Sequence, residues 1–534
     1  MNAYNRLTAA VLVVAALAAL GACDDRDVAW DRDRSVIGPI ALKTEVAYID
    51  NARDRVIIID TADKPRIWTY AIGRDAVFAT VTPDKRHLAV ITRGEEAVLK
   101  GQVDQDPQLW LVDVSKPDSV PVSYPVGSPF DRLSIAEDGA TAVAYFSASG
   151  PDATGFFRNP NEMAIIDLSR APADDNPVLK TVRSFGQAPD GVILSPPMVV
   201  PGAEDATRRV FAFVLSLGNV TVLDATHPQR REVSIRLDSA GSNVRPREIV
   251  FAPNSATAYL RSDGARDILE ILINADPPAP GATDPNDYRP ALAELGAGGG
   301  PADVAVYDDA TGRRLVLAVT PNTQELVVID ADTAQFRTFA MDDPVDRILL
   351  FPSGPDLVPQ VAVLASLGSR LSRVHLVALD RITDSLEPTK LQTVELDQPV
   401  LDVQPVPGRE LAMIVHDDDR TVLGLLDVNI GSVSPLQGVG RLDSYAFTPD
   451  GDYLVGVTDG VSRVGFLELS NLHPSDLRLD SDPASVLALP GGAIFIDHGD
   501  PFGVATIIPS PQSSRDESHL LTGFLLSGLL DENL

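Results

Sequence analysis

The sequence predicts an all-β chain of 534 residues, built from ten copies of one four-strand unit. Three observations carry that prediction. A short apolar, β-branched run ending in Asp recurs along the chain. A second apolar run, introduced by a turn of the Pro-Asp-Gly kind, precedes it in several copies. No amphipathic helix of 12 or more residues separates the runs, whereas a parallel α/β fold needs such helices between its strands.

The Asp-terminated run appears as Val56-Ile-Ile-Ile-Asp60, Trp110-Leu-Val-Asp113, Ala164-Ile-Ile-Asp167 and Val220-Thr-Val-Leu-Asp224. It continues as Leu326-Val-Val-Ile-Asp330, Leu376-Val-Ala-Leu-Asp380 and Leu423-Gly-Leu-Leu-Asp427. Weaker copies end at Asn274, Glu468 and Ile508, and successive copies lie 40 to 57 residues apart. The preceding element reads Val81-Thr-Pro-Asp84, Ile135-Ala-Glu-Asp-Gly139, Phe251-Ala-Pro-Asn254 and Phe447-Thr-Pro-Asp-Gly451. Pro presets φ at the first turn position, and Asp-Gly returns the chain into the next strand. Each unit therefore reads strand, turn, strand, loop, Asp-terminated strand, turn, strand.

Four short strands in about 50 residues is the size of a β-propeller blade. Units begin near residues 42, 76, 131, 190, 246, 302, 345, 400, 442 and 484. The expectation is one ring of eight to ten blades, with two smaller rings as the alternative. Residues 276–300, rich in Pro and Gly, read as a long loop within unit five. The apolar run from His519 to Leu530 reads as a last strand closing the ring against the first blade. The Phe447-Thr-Pro-Asp-Gly451 turn and the Asp-ended third strand resemble those of YVTN-type and TolB-type bacterial β-propellers. The resemblance runs through most of residues 40–510. Gly-His and Trp-Asp marks of WD-repeat propellers are missing from the units.

The N-terminus predicts an address. Arg6 precedes an apolar run, Leu7–Leu20, that is too short for a spanning helix of about 20 residues and has the form of a secretory signal. Leu20-Gly21-Ala22-Cys23 resembles the lipobox of bacterial lipoproteins, whose cysteine is diacylated and becomes the new N-terminus. Cys23 is the single cysteine of the chain, and acylation would consume a thiol that an oxidising compartment makes a liability. The expected organisation is a signal peptide over 1–22, a lipidated Cys23 with a polar tether over 23–39, and a propeller over 40–534. Asp24 and Asp25 resemble an inner-membrane retention signal. The implied location is the cell envelope, anchored to the outer or inner membrane and facing the periplasm or the surface.

With 75 acidic and 44 basic residues the chain carries a formal charge of −31. That balance argues against nucleic acid, which needs a basic footprint. It also argues against polybasic attraction to anionic lipid heads. The sequence has no nucleophile elbow, zinc helix or P-loop, and one cysteine cannot form a covalent haem site. Gly296-Ala-Gly298-Gly299-Gly300-Pro301 approaches a dinucleotide fingerprint without its strand–helix context and reads as a loop.

Two of the seven histidines stand among acids, in His416-Asp417-Asp418-Asp419 and Asp497-His498-Gly499-Asp500, at matching places in units eight and ten. His416, Asp417, Asp419, Asp497, His498 and Asp500 are the candidate metal ligands, for a divalent cation, if three or more converge. Otherwise they are solvated turns, and no cofactor is expected. The Asp at 60, 113, 167, 224, 330, 380 and 427 recurs by blade, so it is expected to cap a turn and not to catalyse. The functional expectation is a monomeric binding or scaffold module for an envelope protein or a glycan. A metal-assisted hydrolase of the lactonase kind, implied by the YVTN resemblance, is the alternative.

Overall fold

A computed structural model describes residues 35–526, apart from 63, 96–104, 118, 148–160, 173–177, 184–187, 205, 238–243, 276–286, 354–357, 380–381, 383–384, 389, 419 and 437–439. Within these residues the chain forms ten four-stranded antiparallel sheets and no α-helix. The sheets are ten propeller blades, spanning 36–71, 76–125, 132–183, 191–236, 245–295, 303–340, 347–395, 402–435, 444–478 and 485–522. Strands pair in sequence order, except that blade 4 inserts a ribbon, Met198–Val199 against Arg208–Arg209, between its first and second strands. The described residues of all ten copies of the recurrent run, weak ones included, lie on or at the end of third strands.

The expected starts hold to within two residues for blades 2 to 10, but blade 1 begins at Val36 and not at 42. The strand Val36–Ala41 takes the end of the stretch read as tether and pairs with Glu45–Asp50 across a bulge between Ile37 and Ile40. Gly38-Pro39 interrupts the alternation there, which hides a strand from a reading by period. Gly38 is required by packing, since a Cβ would meet the carbonyl oxygen of Ala47 at 2.8 Å.

The loop expected over 276–300 is corrected in its second half, residues 276–286 lying outside the described residues. Tyr288–Leu295 is the fourth strand of blade 5, and only 296–302 connects it to blade 6. Only its end residues, Tyr288 and Leu295, are buried, while the residues between lie at a ring edge with Leu292 51% exposed, so alternation against a core is absent.

The core explains why these strands lack a polar face. Each blade packs against two neighbours, so both faces of its inner strands are buried. In blade 6, Leu326 and Val328 join the cluster shared with blade 7, while Val327 and Ile329 join the cluster shared with blade 5. Ten such clusters occupy the ten interfaces. The last joins Leu489, Phe495 and Ile507 of blade 10 to Val46, Tyr48 and Ile57 of blade 1. The blades therefore form one closed ring of ten, not two smaller rings.

The C-terminal run closes the ring differently from the expectation. Its strand His519–Thr522 is the outer strand of blade 10, paired with Val504–Ile508. The following turn, Phe524–Leu526, makes the contact with blade 1: Phe524 is 2% exposed, and its ring centroid lies 5.1 Å from that of Tyr48. Among the described residues no strand is exchanged across this seam, and side chains and a few backbone bonds hold it. The Tyr48 hydroxyl donates to Asp497 at 3.0 Å, and Arg53 and Arg55 donate to the Leu525 carbonyl at 3.0 and 2.9 Å.

First strands of neighbouring blades approach one another around the axis, while fourth strands such as Gln335–Ala340 and His473–Arg478 form the exposed rim. Tyrosines on fourth strands tie blade to blade. The Tyr70 hydroxyl donates to the Lys116 carbonyl of blade 2 at 2.6 Å, and that of Tyr124 to the Arg170 carbonyl of blade 3 at 3.0 Å.

Candidate functional site

Antiparallel strand order divides the ring into two faces. First-to-second and third-to-fourth strand turns share one, here called the turn face. Second-to-third loops and the connections between blades share the other, the loop face.

The repeated Asp lies on the turn face and does what its spacing implies. Backbone N–H groups two or three residues on donate to it: Ala62 to Asp60 at 3.0 Å, Ser115 to Asp113 at 3.1 Å, and Ser169 to Asp167 at 3.0 Å. The pattern continues with His227 to Asp224 at 2.8 Å, Thr333 to Asp330 at 3.0 Å and Asn429 to Asp427 at 3.0 Å. Asp380 lies outside the described residues. Burial pushes the Asp113 carboxyl up, but bonds from Lys116 and Ser115 outweigh it and hold the group below its ordinary range.

The Pro-Asp-Gly turns add a second layer: the hydroxyls of Thr82 and Thr448 donate to Asp84 and Asp450, each at 2.6 Å. Gly451 has φ 68°, and a Cβ there would lie 2.2 Å from the Pro407 carbonyl oxygen of blade 8. Neighbouring turns are that closely stacked.

The loop face carries a set of acids that sequence reasoning missed. Asp131, Asp346 and Asp443 each stand just before a first strand and accept backbone N–H groups beyond the second strand. Ser147 donates to Asp131 at 2.8 Å, Leu367 and Gly368 to Asp346 at 2.8 and 2.7 Å, and Asp459 to Asp443 at 2.8 Å. The available signal was Pro-x-Asp-Arg, in Pro129-Phe-Asp131-Arg132 and Pro344-Val-Asp346-Arg347.

A buried charged knot lies between blades 6 and 7. Asp343, 1% exposed, receives Arg373 through two nitrogens at 2.5 Å each and His375 Nε2 at 2.8 Å, while His375 Nδ1 meets Thr393 at 3.1 Å. Burial raises the Asp343 carboxyl, and bonds from Arg373 and then His375 outweigh it, so the group is held below the usual range.

Five of the six candidate metal ligands fall on the loop face, in blades 8 and 10, and Asp419 lies outside the described residues. His416 and His498 occupy equivalent positions, each with Nδ1 at 2.9 Å from a carbonyl of the preceding connection, that of Pro399 or Asp482. His498 Nε2 also meets Thr506 at 2.8 Å. Asp417 accepts the N–H groups of Thr421 and Val422 at 2.8 and 3.1 Å, and Asp500 accepts that of Phe502 at 2.7 Å. Asp497 is turned inward to Tyr48, and burial raises its carboxyl. Among the described residues, no three His, Cys, Asp or Glu side chains gather as metal ligands. Cys23 lies outside the described residues, and no described helix is long and apolar enough to cross a membrane.

A cleft of about 580 Å³ opens between blades 4 and 5, lined by Leu237, Val244 and Leu292 with Arg236, Arg266 and Glu294 at its polar parts. That volume lies within the common range for small-ligand pockets, roughly 300–1,000 Å³.

The fold and faces define a ten-bladed β-propeller. No family model and no curated protein matches the chain. Among solved structures, it is similar to a dihydro-heme d1 dehydrogenase, NirN, in complex with DHE, at 15% identity and a TM-score of 0.39, covering 76% of this chain and 75% of that one. It is also similar to a eukaryotic initiation factor, at 9% identity and a TM-score of 0.44, covering 76% of this chain and 88% of the other.

Proposed function

We propose that the chain is a membrane-anchored, extracytoplasmic propeller lipoprotein of the YVTN/TolB type, acting as a binding or scaffold module for an envelope protein or a glycan. The observation that carries this reading is Leu20-Gly21-Ala22-Cys23 at the end of an apolar leader, placed directly ahead of a closed ring that begins at Val36. Two acyl chains on Cys23 would anchor the chain stably, because each buried CH₂ contributes about 0.8 kcal/mol. The ring supports the binding role by its construction. Its recurrent acids serve turns, and its aromatic and apolar side chains serve ten interfaces, which leaves a rigid body that presents loops.

Fractionation of cells carrying Cys23→Ser tests the anchor. The variant should move to the soluble exported fraction with its fold intact, and retention at the membrane would refute the anchor. Affinity capture from solubilised envelopes tests the module: a stoichiometric protein or glycan partner is expected, and repeated recovery of the propeller alone would refute the role.

A further inference from the structure

We propose that the cleft between blades 1 and 2 on the turn face is an anion site that takes a phosphate group. This adds a ligand class to the binding role above and does not depend on the anchor. The cleft holds about 450 Å³ and is lined by Lys43, Thr44 and Glu45 of blade 1 with Lys85, Arg86 and Ser115 of blade 2. Buried Val114 adds an apolar wall.

Charge is the first reason. In a chain of net charge −31, three exposed cations line one cleft. None of the three side chains pairs with a carboxylate among the described residues, in contrast to Arg66 with Asp60 at 3.3 Å and Lys116 with Asp113 at 2.7 Å just outside. Among the described residues, the nearby acids already have donors. Asp84 accepts the Thr82 hydroxyl and the Arg86 N–H, Asp113 accepts from Ser115 and Lys116, and Glu45 accepts the Thr44 N–H at 3.1 Å. Three cations against the one carboxylate of Glu45 leave the lining net positive within an acidic molecule, and such a cleft draws anions.

Backbone geometry is the second reason. Lys85 has φ 57° at the turn position where blades 3 and 9 place Gly139 and Gly451, at φ 70° and 68°. Glycine adopts that conformation freely and lysine does so under strain. Ten non-glycine residues of the described chain hold such a φ, Ala334 and Leu472 among them, and at Lys85 the residue so held lines the cleft. The donor set then selects the anion. Two ammonium groups, one guanidinium fork and the Thr44 hydroxyl supply more donors than a carboxylate accepts, and they suit the several oxygens of a phosphate.

The test titrates sodium pyrophosphate into the full chain by calorimetry, at low salt and at physiological salt. Saturable one-to-one binding is expected, weaker at higher salt. Lys43→Gln with Arg86→Gln should weaken it at least tenfold, and Arg463→Gln, an exposed cation of blade 9 paired with Asp476, should leave it unchanged. Lys85→Gly should weaken it several-fold while the melting temperature holds or rises, which separates lost binding from lost folding.

Co-sedimentation of Cys23→Ser protein with vesicles of anionic or zwitterionic phospholipid identifies the source. Anionic-vesicle binding displaced by pyrophosphate assigns a lipid headgroup, and pyrophosphate binding without vesicle binding assigns a soluble phosphate or phosphorylated glycan. Absence of saturable pyrophosphate binding, or equal binding by the double variant, overturns the proposal.

Discussion

Phe524→Ala should open the ring at one place. Every blade draws its four strands from one contiguous segment, so among the described residues no strand pairing bridges blade 10 to blade 1. Phe524 is 2% exposed in the seam, beside Tyr48, with Leu525 at 6% next to it. Transfer of a buried Phe side chain is worth about 1.5–3 kcal/mol. The cavity left by truncation brings Phe→Ala changes to about 3–5 kcal/mol. A short terminal turn can settle into part of that cavity, so the expected loss is about 3 kcal/mol. Urea unfolding reads the total. Hydrogen exchange reads the location, because amides of blades 1 and 10 should lose protection before those of blades 5 and 6. Phe336→Ala is the control: the same truncation at a residue 55% exposed should stay within about 0.5 kcal/mol. A Phe524→Ala protein as stable as that control, or one that loses protection uniformly, would refute closure through this turn.

Other substitutions probe the remaining devices. Burial holds the Asp497 carboxyl above its ordinary value despite the Tyr48 bond, so its contribution to stability is full at low pH and is lost as pH rises through the raised folded value. Asp497→Asn should then match the wild type near about pH 4 and exceed it near about pH 7 in thermal melts. Asp343 is shifted the opposite way, so its contribution is present above the ordinary carboxylate value and fades as acid protonates it. Asp343→Ala strands Arg373 and His375, and should lower stability by about 3 kcal/mol at neutral pH, with the deficit shrinking in acid. Gly451→Ala forces a Cβ onto the Pro407 carbonyl at a positive φ, and should destabilise by more than about 2 kcal/mol in urea. Asp427→Ala frees one turn, and about 1 kcal/mol in the same assay is expected.

Features that act over a few residues were readable in advance. Asp60, Asp113 and Asp427 cap donors only two residues on, so spacing alone implied their role. The turn at Thr448-Pro449-Asp450-Gly451 closes through Gly451 N–H to the Thr448 carbonyl at 2.8 Å, again a local bond. Features whose partners are distant left no such trace. Asp346 meets the N–H groups of Leu367 and Gly368 across a hairpin, and Asp343 meets Arg373 thirty residues on. Lys43 and Lys85 share a cleft only because two blades stand side by side. His416 and His498 were rightly matched as equivalent positions, but their carbonyl partners belong to other loops.

The sequence by itself determined the unit: its four strands, its turn chemistry, and the unbroken apolar runs that require cover on both faces. It also marked where ten units begin, but left the number of blades between eight and ten. Only the tertiary structure decided that ten units make one ring. Closure depends on contacts such as Tyr48 with Asp497, 449 residues apart, and Phe524 against blade 1. A local pattern fixes how a blade turns, but burial of its two faces is completed by neighbours, and the last neighbour of blade 10 is the first blade of the chain.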